Sequence, residues 1–142
     1  MIASAAPLIV VISAIAVLAA TGNLFAASVL VIALQIIAVG LSVWSRRSFP
    51  KGAFRVAAAP GADSVIRRGP YRFIRHPMYA AVLLFIWTAV LSHRSLVTVT
   101  VGAIVTLVVA TRVVAEERVL RARYPDYVDY ARSTKAIVPF VL

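Results

Sequence analysis

Three stretches of the chain, Met1–Ser45, Pro77–Ser92 and Ser95–Thr111, contain no Asp, Glu, Lys or Arg. Uncharged apolar runs of this length are membrane segments, because a spanning helix needs about 20 apolar residues at 1.5 Å each. Ile2–Ala20 fits a first helix, Thr21-Gly22-Asn23 a short uncharged turn, and Leu24–Trp44 a second helix. So tight a turn predicts an antiparallel hairpin. Ile74–Leu91 is a shorter third helix, His93-Arg94 a second minimal turn, and Leu96–Ala115 a fourth helix. The fold expected is an all-α integral membrane protein with about four transmembrane helices.

The polar positions lie between and after these runs. Arg46–His76 carries eight of the 15 Lys and Arg residues, one acid (Asp63), and Pro50, Gly52, Pro60, Gly61, Gly69 and Pro70. Such Pro and Gly content predicts a loop with defined turns. From Arg112 onward come six more basic residues and the other four acids. An even number of helices puts loop and tail on one side, and the positive-inside rule makes that side, with both termini, cytoplasmic. The tail continues the fourth helix from Arg112 to Tyr124, and Pro125 stops it because proline clashes with the preceding turn. A short helix can begin there, with Asp126 near its positive end. Tyr124, Tyr127 and Tyr130 fall three apart, a face suited to a membrane interface.

Composition supports this picture. Of the 142 residues, 62% are hydrophobic and 14% charged, against roughly a quarter charged in soluble domains, which excludes a water-soluble globule. A net charge of +10 would suggest nucleic acid in a soluble chain. Here the basic residues flank apolar runs, so the charge reads as topological and as attraction to anionic membrane lipids, with no nucleic-acid partner. The chain has no cysteine, hence no disulfide or thiolate metal site, and two histidines cannot build a His-rich metal site. Leu18-Ala19-Ala20 has the look of a cleavage site, but no basic region precedes it, so the first helix is expected to be retained.

Two polar clusters fall at helix ends on the cytoplasmic side. In Gly69-Pro70-Tyr71-Arg72-Phe73-Ile74-Arg75-His76-Pro77-Met78-Tyr79, Pro77 can occupy the first turn of the third helix. Its free N–H groups would face an anion, with Arg75, His76 and Tyr79 around it; the plainer reading is that Arg72 and Arg75 anchor the helix to lipid phosphates and His76 caps it. Glu116 and Glu117 sit near the negative end of the fourth helix, where acids are unfavourable. Arg112 and Arg121 stand four residues to either side of the pair, so two surface salt bridges compete with a seat for a cationic ligand.

Arg75-His76-Pro77-Met78-Tyr79, preceded by Gly69-Pro70-Tyr71 and followed by Glu116-Glu117, Leu120, Tyr124-Pro125, Tyr127 and Tyr130, resembles the isoprenylcysteine carboxyl methyltransferase family and its phospholipid N-methyltransferase relatives. The resemblance covers about half the chain, Gly69–Pro139. It implies a small membrane enzyme that binds S-adenosylmethionine in a pocket of helix ends and C-terminal segment, with Tyr71, Arg75, His76, Pro77, Tyr79, Glu116 and Glu117 as cofactor-binding residues. His76 and Tyr79 would hold the adenosyl or carboxylate portion, and Glu116 or Glu117 the ammonium. The family often has glycine two residues after the Tyr; here that position is Ala81.

The residue types suit such a ligand: two acids, an arginine beside a helix start, and tyrosine faces. A soluble-type strand with a Gly-rich turn is missing. Methyl transfer is an in-line displacement that rests on alignment and water exclusion and needs no metal. A carboxylate acceptor needs only to be neutralised and aimed, for which Arg75 and Arg112 are the candidates; an amine acceptor needs a base, Glu116 or another glutamate or His76. The catalytic candidates are therefore Arg75, Arg112 and Glu116.

The expected arrangement is one membrane domain: a helical hairpin over 1–45, a basic loop over 46–77, a second hairpin over 78–115 and a cytoplasmic segment over 116–142. Its place would be a bacterial inner membrane, with a lipophilic substrate, foremost a prenylcysteine-type carboxylate, arriving through the bilayer. Alternatives are a phospholipid or other small-lipophile methyltransferase, an NADPH-dependent membrane reductase, and a small multidrug exporter. The exporter would place an acid inside a span, and the first three spans hold none.

Overall fold

The computed structural model describes residues 6–48 and 65–137. The elements are α1 (Ala6–Ala20), α2 (Val29–Arg47), a 3-10 turn (Gly69–Arg72), α3 (Pro77–His93), α4 (Leu96–Arg123) and α5 (Tyr127–Ser133). Among the described residues there is no strand, only one parallel bridge between Ile74 and Lys135. Most of the basic loop expected over 46–77 lies outside the described residues, including Pro50, Gly52, Pro60, Gly61 and Asp63.

Local chemistry accounts for the helix limits. Pro77 occupies the first position of α3, where its missing N–H is no loss. At the other end Arg94 takes a left-handed conformation, φ 41°, and its N–H bonds Val90 O at 2.8 Å. Ser95 then starts α4 with a capping box shared with Thr98. α4 runs unbroken to Arg123, and Tyr124 leaves the helix just before Pro125, as the sequence predicts.

The first connection departs from expectation. α2 begins at Val29, not Leu24, because Leu24 turns inward to join the core of Ala14, Leu18, Ile86, Ala89, Val90, Val105, Val109 and Val113. Its carbonyl is held by Gln35 Nε2 at 2.8 Å. The predicted antiparallel hairpin of the first two helices does not form as a packed pair. α1 packs on α4 and more lightly on α3, while α2 packs on α3, giving the order α1, α4, α3, α2.

α2 and α4 are each long and apolar enough to cross a membrane, and only 17% and 22% of their apolar windows are buried in the protein. A core helix of a soluble protein would be mostly buried; these instead turn Leu30, Ile36, Ile37, Ile104 and Leu107 outward. α1 and α3 are shorter apolar helices. α3 is the most enclosed of the four, with Ala81, Ile86, Thr88, Ala89 and Val90 all buried.

Candidate active site

Two short devices fix the approach to α3. Gly69 has φ +59°, a conformation that suits glycine, and a Cβ there would lie 2.1 Å from Ser48 Oγ. The loop can therefore press directly against the end of α2, where Arg68 Nε donates to Ser48 O at 2.7 Å. Beyond the 3-10 turn, the chain runs alongside the C-terminal segment. Lys135 N donates to Phe73 O at 3.2 Å, Arg75 N to Lys135 O at 2.8 Å, and His76 N to Ala136 O at 2.9 Å. Arg75 and His76 are thus held by their own backbone before their side chains make any contact.

The carboxylates come from the far part of α4. Glu116 lies about 20 residues, or 30 Å, beyond the start of that helix, close to the thickness of a hydrocarbon core. Glu117 Oε1 accepts from Arg75 Nε at 2.8 Å and Tyr127 Oη at 2.8 Å, and lies 3.1 Å from His76 Nε2. Its Oε2 accepts from Arg121 at 3.2 Å. Glu116 Oε1 accepts from Tyr79 Oη at 2.7 Å and Arg112 Nε at 3.0 Å, while His76 Nδ1 approaches Oε2 at 3.6 Å. His76, its side chain only 4% exposed, therefore stands between both carboxylates, with the Tyr79 ring stacked against it at 5.8 Å.

Arg75 also reaches the C-terminal segment, donating to Ala131 O at 2.8 Å and to Thr134 O. Tyr130 Oη closes the arrangement with a 2.6 Å bond to Tyr71 O. The outer edge is tied by Arg67 to Asp126 at 2.5 Å.

Electrostatics follow from this crowding. Burial by itself lowers the pKa of His76, but hydrogen bonds to Glu116 and Glu117, and then their charge, outweigh it, so the value rises above the ordinary 6.5. Burial raises the Tyr127 phenol far above its usual range, and the bond to Glu117 adds to the effect. Tyr71 is raised by burial and then by Tyr130. Tyr130 is pushed up to about 12, mainly by burial, with Arg75 and Arg67 pulling the other way. The tyrosines remain neutral donors, and the imidazole holds its proton more tightly than a free histidine does, between two carboxylates.

The structure brings Arg75, His76, Tyr79, Arg112, Glu116 and Glu117 into one hydrogen-bonded network. Pro77 is fully buried and serves as the helix start, and Tyr71 enters through its carbonyl. Both expected salt bridges, Arg112 to Glu116 and Arg121 to Glu117, are formed. They are part of a larger set of bonds to the same carboxylates.

One reading of the sequence is corrected. Tyr124, Tyr127 and Tyr130 do not form an exposed interfacial face; all three are buried, packed with Val65, Leu120 and Ala131. α5 folds back on α4, so its tyrosine face finds protein, and Tyr127 reaches Glu117. Tyr127 and Thr134 were absent from the sequence-predicted site. Tyr127 is marked in the sequence by its spacing from Tyr124 and Tyr130 and by its place in the family-like motif, neither of which assigns it a site role, and nothing local marks Thr134.

Fold and site together define a helical membrane protein with a dense polar centre at one end of its bundle. The phospholipid methyltransferase family model matches residues 24–127, and the chain belongs to that family. The match takes in both motifs and α2, α3 and α4. The chain is also similar to the cobalt-zinc-cadmium resistance protein CzcN of Cupriavidus metallidurans, at 32% identity over 78 residues. That segment is 54% of this chain but only 36% of the relative, so this chain spans little more than a third of it. No solved structure matches.

Proposed function

We propose that this chain is a membrane methyltransferase that uses S-adenosylmethionine on a lipophilic acceptor, with α1–α4 spanning the bilayer and the polar centre on its cytoplasmic face. The observation that carries the reading is the convergence of Glu116, Glu117, Arg75, His76 and Tyr79 about one bilayer thickness from the opposite end of α4. A family match spanning both motifs supports it. The metal resistance in the Cupriavidus relative's name is not carried over, since the match leaves most of that protein uncovered.

The donor set fits the cofactor. Glu116 and Glu117 supply anionic oxygens for an ammonium, Arg75 and His76 supply cations for a carboxylate, and the Tyr79 ring offers a flat face. Bound there, the cofactor would supply an electrophilic methyl group on sulfonium. The protein's part is to orient, to exclude water and to leave the acceptor nucleophilic.

The charge state of the centre favours an acceptor that is already ionised. The two carboxylates raise the pKa of His76, and both are themselves engaged by arginines, which disfavours each of the three as a base. A prenylcysteine-type carboxylate needs none, and Arg112 or Arg75 can neutralise and aim it. A phospholipid amine, the second reading, gives up a proton to be methylated.

Titration of the purified full chain in detergent tests the cofactor. S-adenosylmethionine and S-adenosylhomocysteine are expected to bind; binding of NADPH alone would sink the reading. Turnover in weak buffer then separates the acceptors. No proton is released per methyl with a prenylcysteine carboxylate and one is released with phosphatidylethanolamine, so activity only on the latter overturns the carboxylate assignment.

A further inference from the structure

The four donors on Glu117 are unequal. Arg75 is 12% exposed and holds three further acceptors, His76 is 4% exposed and bridges both acids, and Tyr127 is fully buried. Together they crowd Oε1, leaving Oε2 as the side of the carboxylate with room. Arg121 stands there, its side chain 50% exposed, with a single contact at 3.2 Å. No other polar partner holds it among the described residues.

We propose that Arg121 is a resident counter-cation: it occupies the seat at Glu117 Oε2 that a ligand's ammonium takes, and so sets ligand affinity by competition. The inference rests on the proposed function, because it concerns how the same site receives an amino-acid ammonium.

A carboxylate offers about four lone-pair positions, and Glu117 already has four donors. A newcomer must therefore share or replace. A second cation on Oε2 beside the guanidinium would sit about 5 Å from it, where like charges oppose each other. Displacing Arg75, His76 or Tyr127 would strand a buried donor, whereas Arg121 can swing into water. An exposed pair spaced four apart on a helix is weak, so exchange is easy in energy. Arg112 differs: its side chain is 10% exposed and it is bound to both Glu116 and Tyr79.

The test measures dissociation constants of S-adenosylmethionine, S-adenosylhomocysteine and 5′-methylthioadenosine, which lacks the ammonium, on the full chain in detergent. Wild type is compared with Arg121→Gln and Arg121→Lys. Arg121→Gln is expected to bind the first two ligands about two- to fivefold tighter, Arg121→Lys to stay close to wild type, and 5′-methylthioadenosine to show no change. Unchanged or weaker S-adenosylmethionine binding by Arg121→Gln overturns the proposal while leaving the methyltransferase reading intact. An equal gain for 5′-methylthioadenosine overturns it too, because a neutral ligand without the ammonium cannot contest that seat and the effect would then come from access to the pocket. If wild type binds no S-adenosylmethionine, the functional reading fails first.

Discussion

The two ends of the bundle use similar residues to opposite purposes. At the turn between α3 and α4, Ser95 and Arg94 are satisfied within the turn, by Thr98 and by Leu91 O, and the one distant contact, His93 to Phe25 O at 3.2 Å, is to a neutral carbonyl. No acid is present there. At the other end, each carboxylate collects donors from segments far apart in the chain: Arg75 is 42 positions from Glu117, and Tyr79 is 37 from Glu116. One histidine serves each end. His93 fastens two connections, whereas His76 is sealed between two acids. What differs is the burial of charge, which forces compensation and turns a helix end into a network.

Breaking the network should separate the two ends most clearly. Glu117→Ala removes the acceptor that Arg75, His76 and Tyr127 share and is expected to lower stability by about 2–4 kcal/mol, with loss of cofactor binding. Ser95→Ala at the opposite end removes a helix cap and should cost about 1 kcal/mol. Thermal melting in detergent compares them, and a Glu117→Ala loss no larger than that of Ser95→Ala would mean the network carries little of the fold.

The glycines sharpen the comparison. Gly69 and Gly22 both have positive φ, +59° and +70°, but a Cβ at Gly69 would strike Ser48 while Gly22 has nothing within 4 Å. Gly69→Ala should cost about 2–4 kcal/mol, from strain plus overpacking, and Gly22→Ala about 1 kcal/mol from strain alone. Equal melting temperatures would show that the loop does not need its close approach to α2.

The smallest effect is a pH dependence. His76 has a folded-state pKa raised above 6.5, so the folded chain holds its proton more tightly than the unfolded chain does. Its contribution is full below pH 6.5 and is lost as pH rises through the folded value. Melting temperature should therefore fall across that window, and His76→Gln should flatten the drift. A drift that survives His76→Gln places the titrating group elsewhere.

Much of the helical frame was legible in the chain. The α3–α4 turn, the run of α4 to Tyr124 and the short helix after Pro125 follow from charge-free length, proline and capping residues, all local signals. The partners of α1 and α2 were not legible, because apolar helices carry no address and Leu24 chose the core over the start of α2. For the site, the residues Arg75, His76, Tyr79, Glu116 and Glu117 could be picked from motif and charge, whereas Tyr127 stood in the motif with no partner to give it a role. Its spacing from Tyr124 and Tyr130 fits a membrane face equally well until α5 folds back.

The sequence by itself determined the apolar helices, the charge confined between and beyond them, and the set of ionisable groups at one end. Those depend on hydrophobic length and on residues a few positions apart. Only the tertiary structure decided which donor meets which carboxylate oxygen. Hydrogen bonds act over about 3 Å, and that distance is set by the register of α3 on α4 and by the pairing of Phe73–His76 with Lys135–Ala136. The same register leaves Arg121 as the exposed donor on Glu117, a distinction invisible in its four-residue spacing.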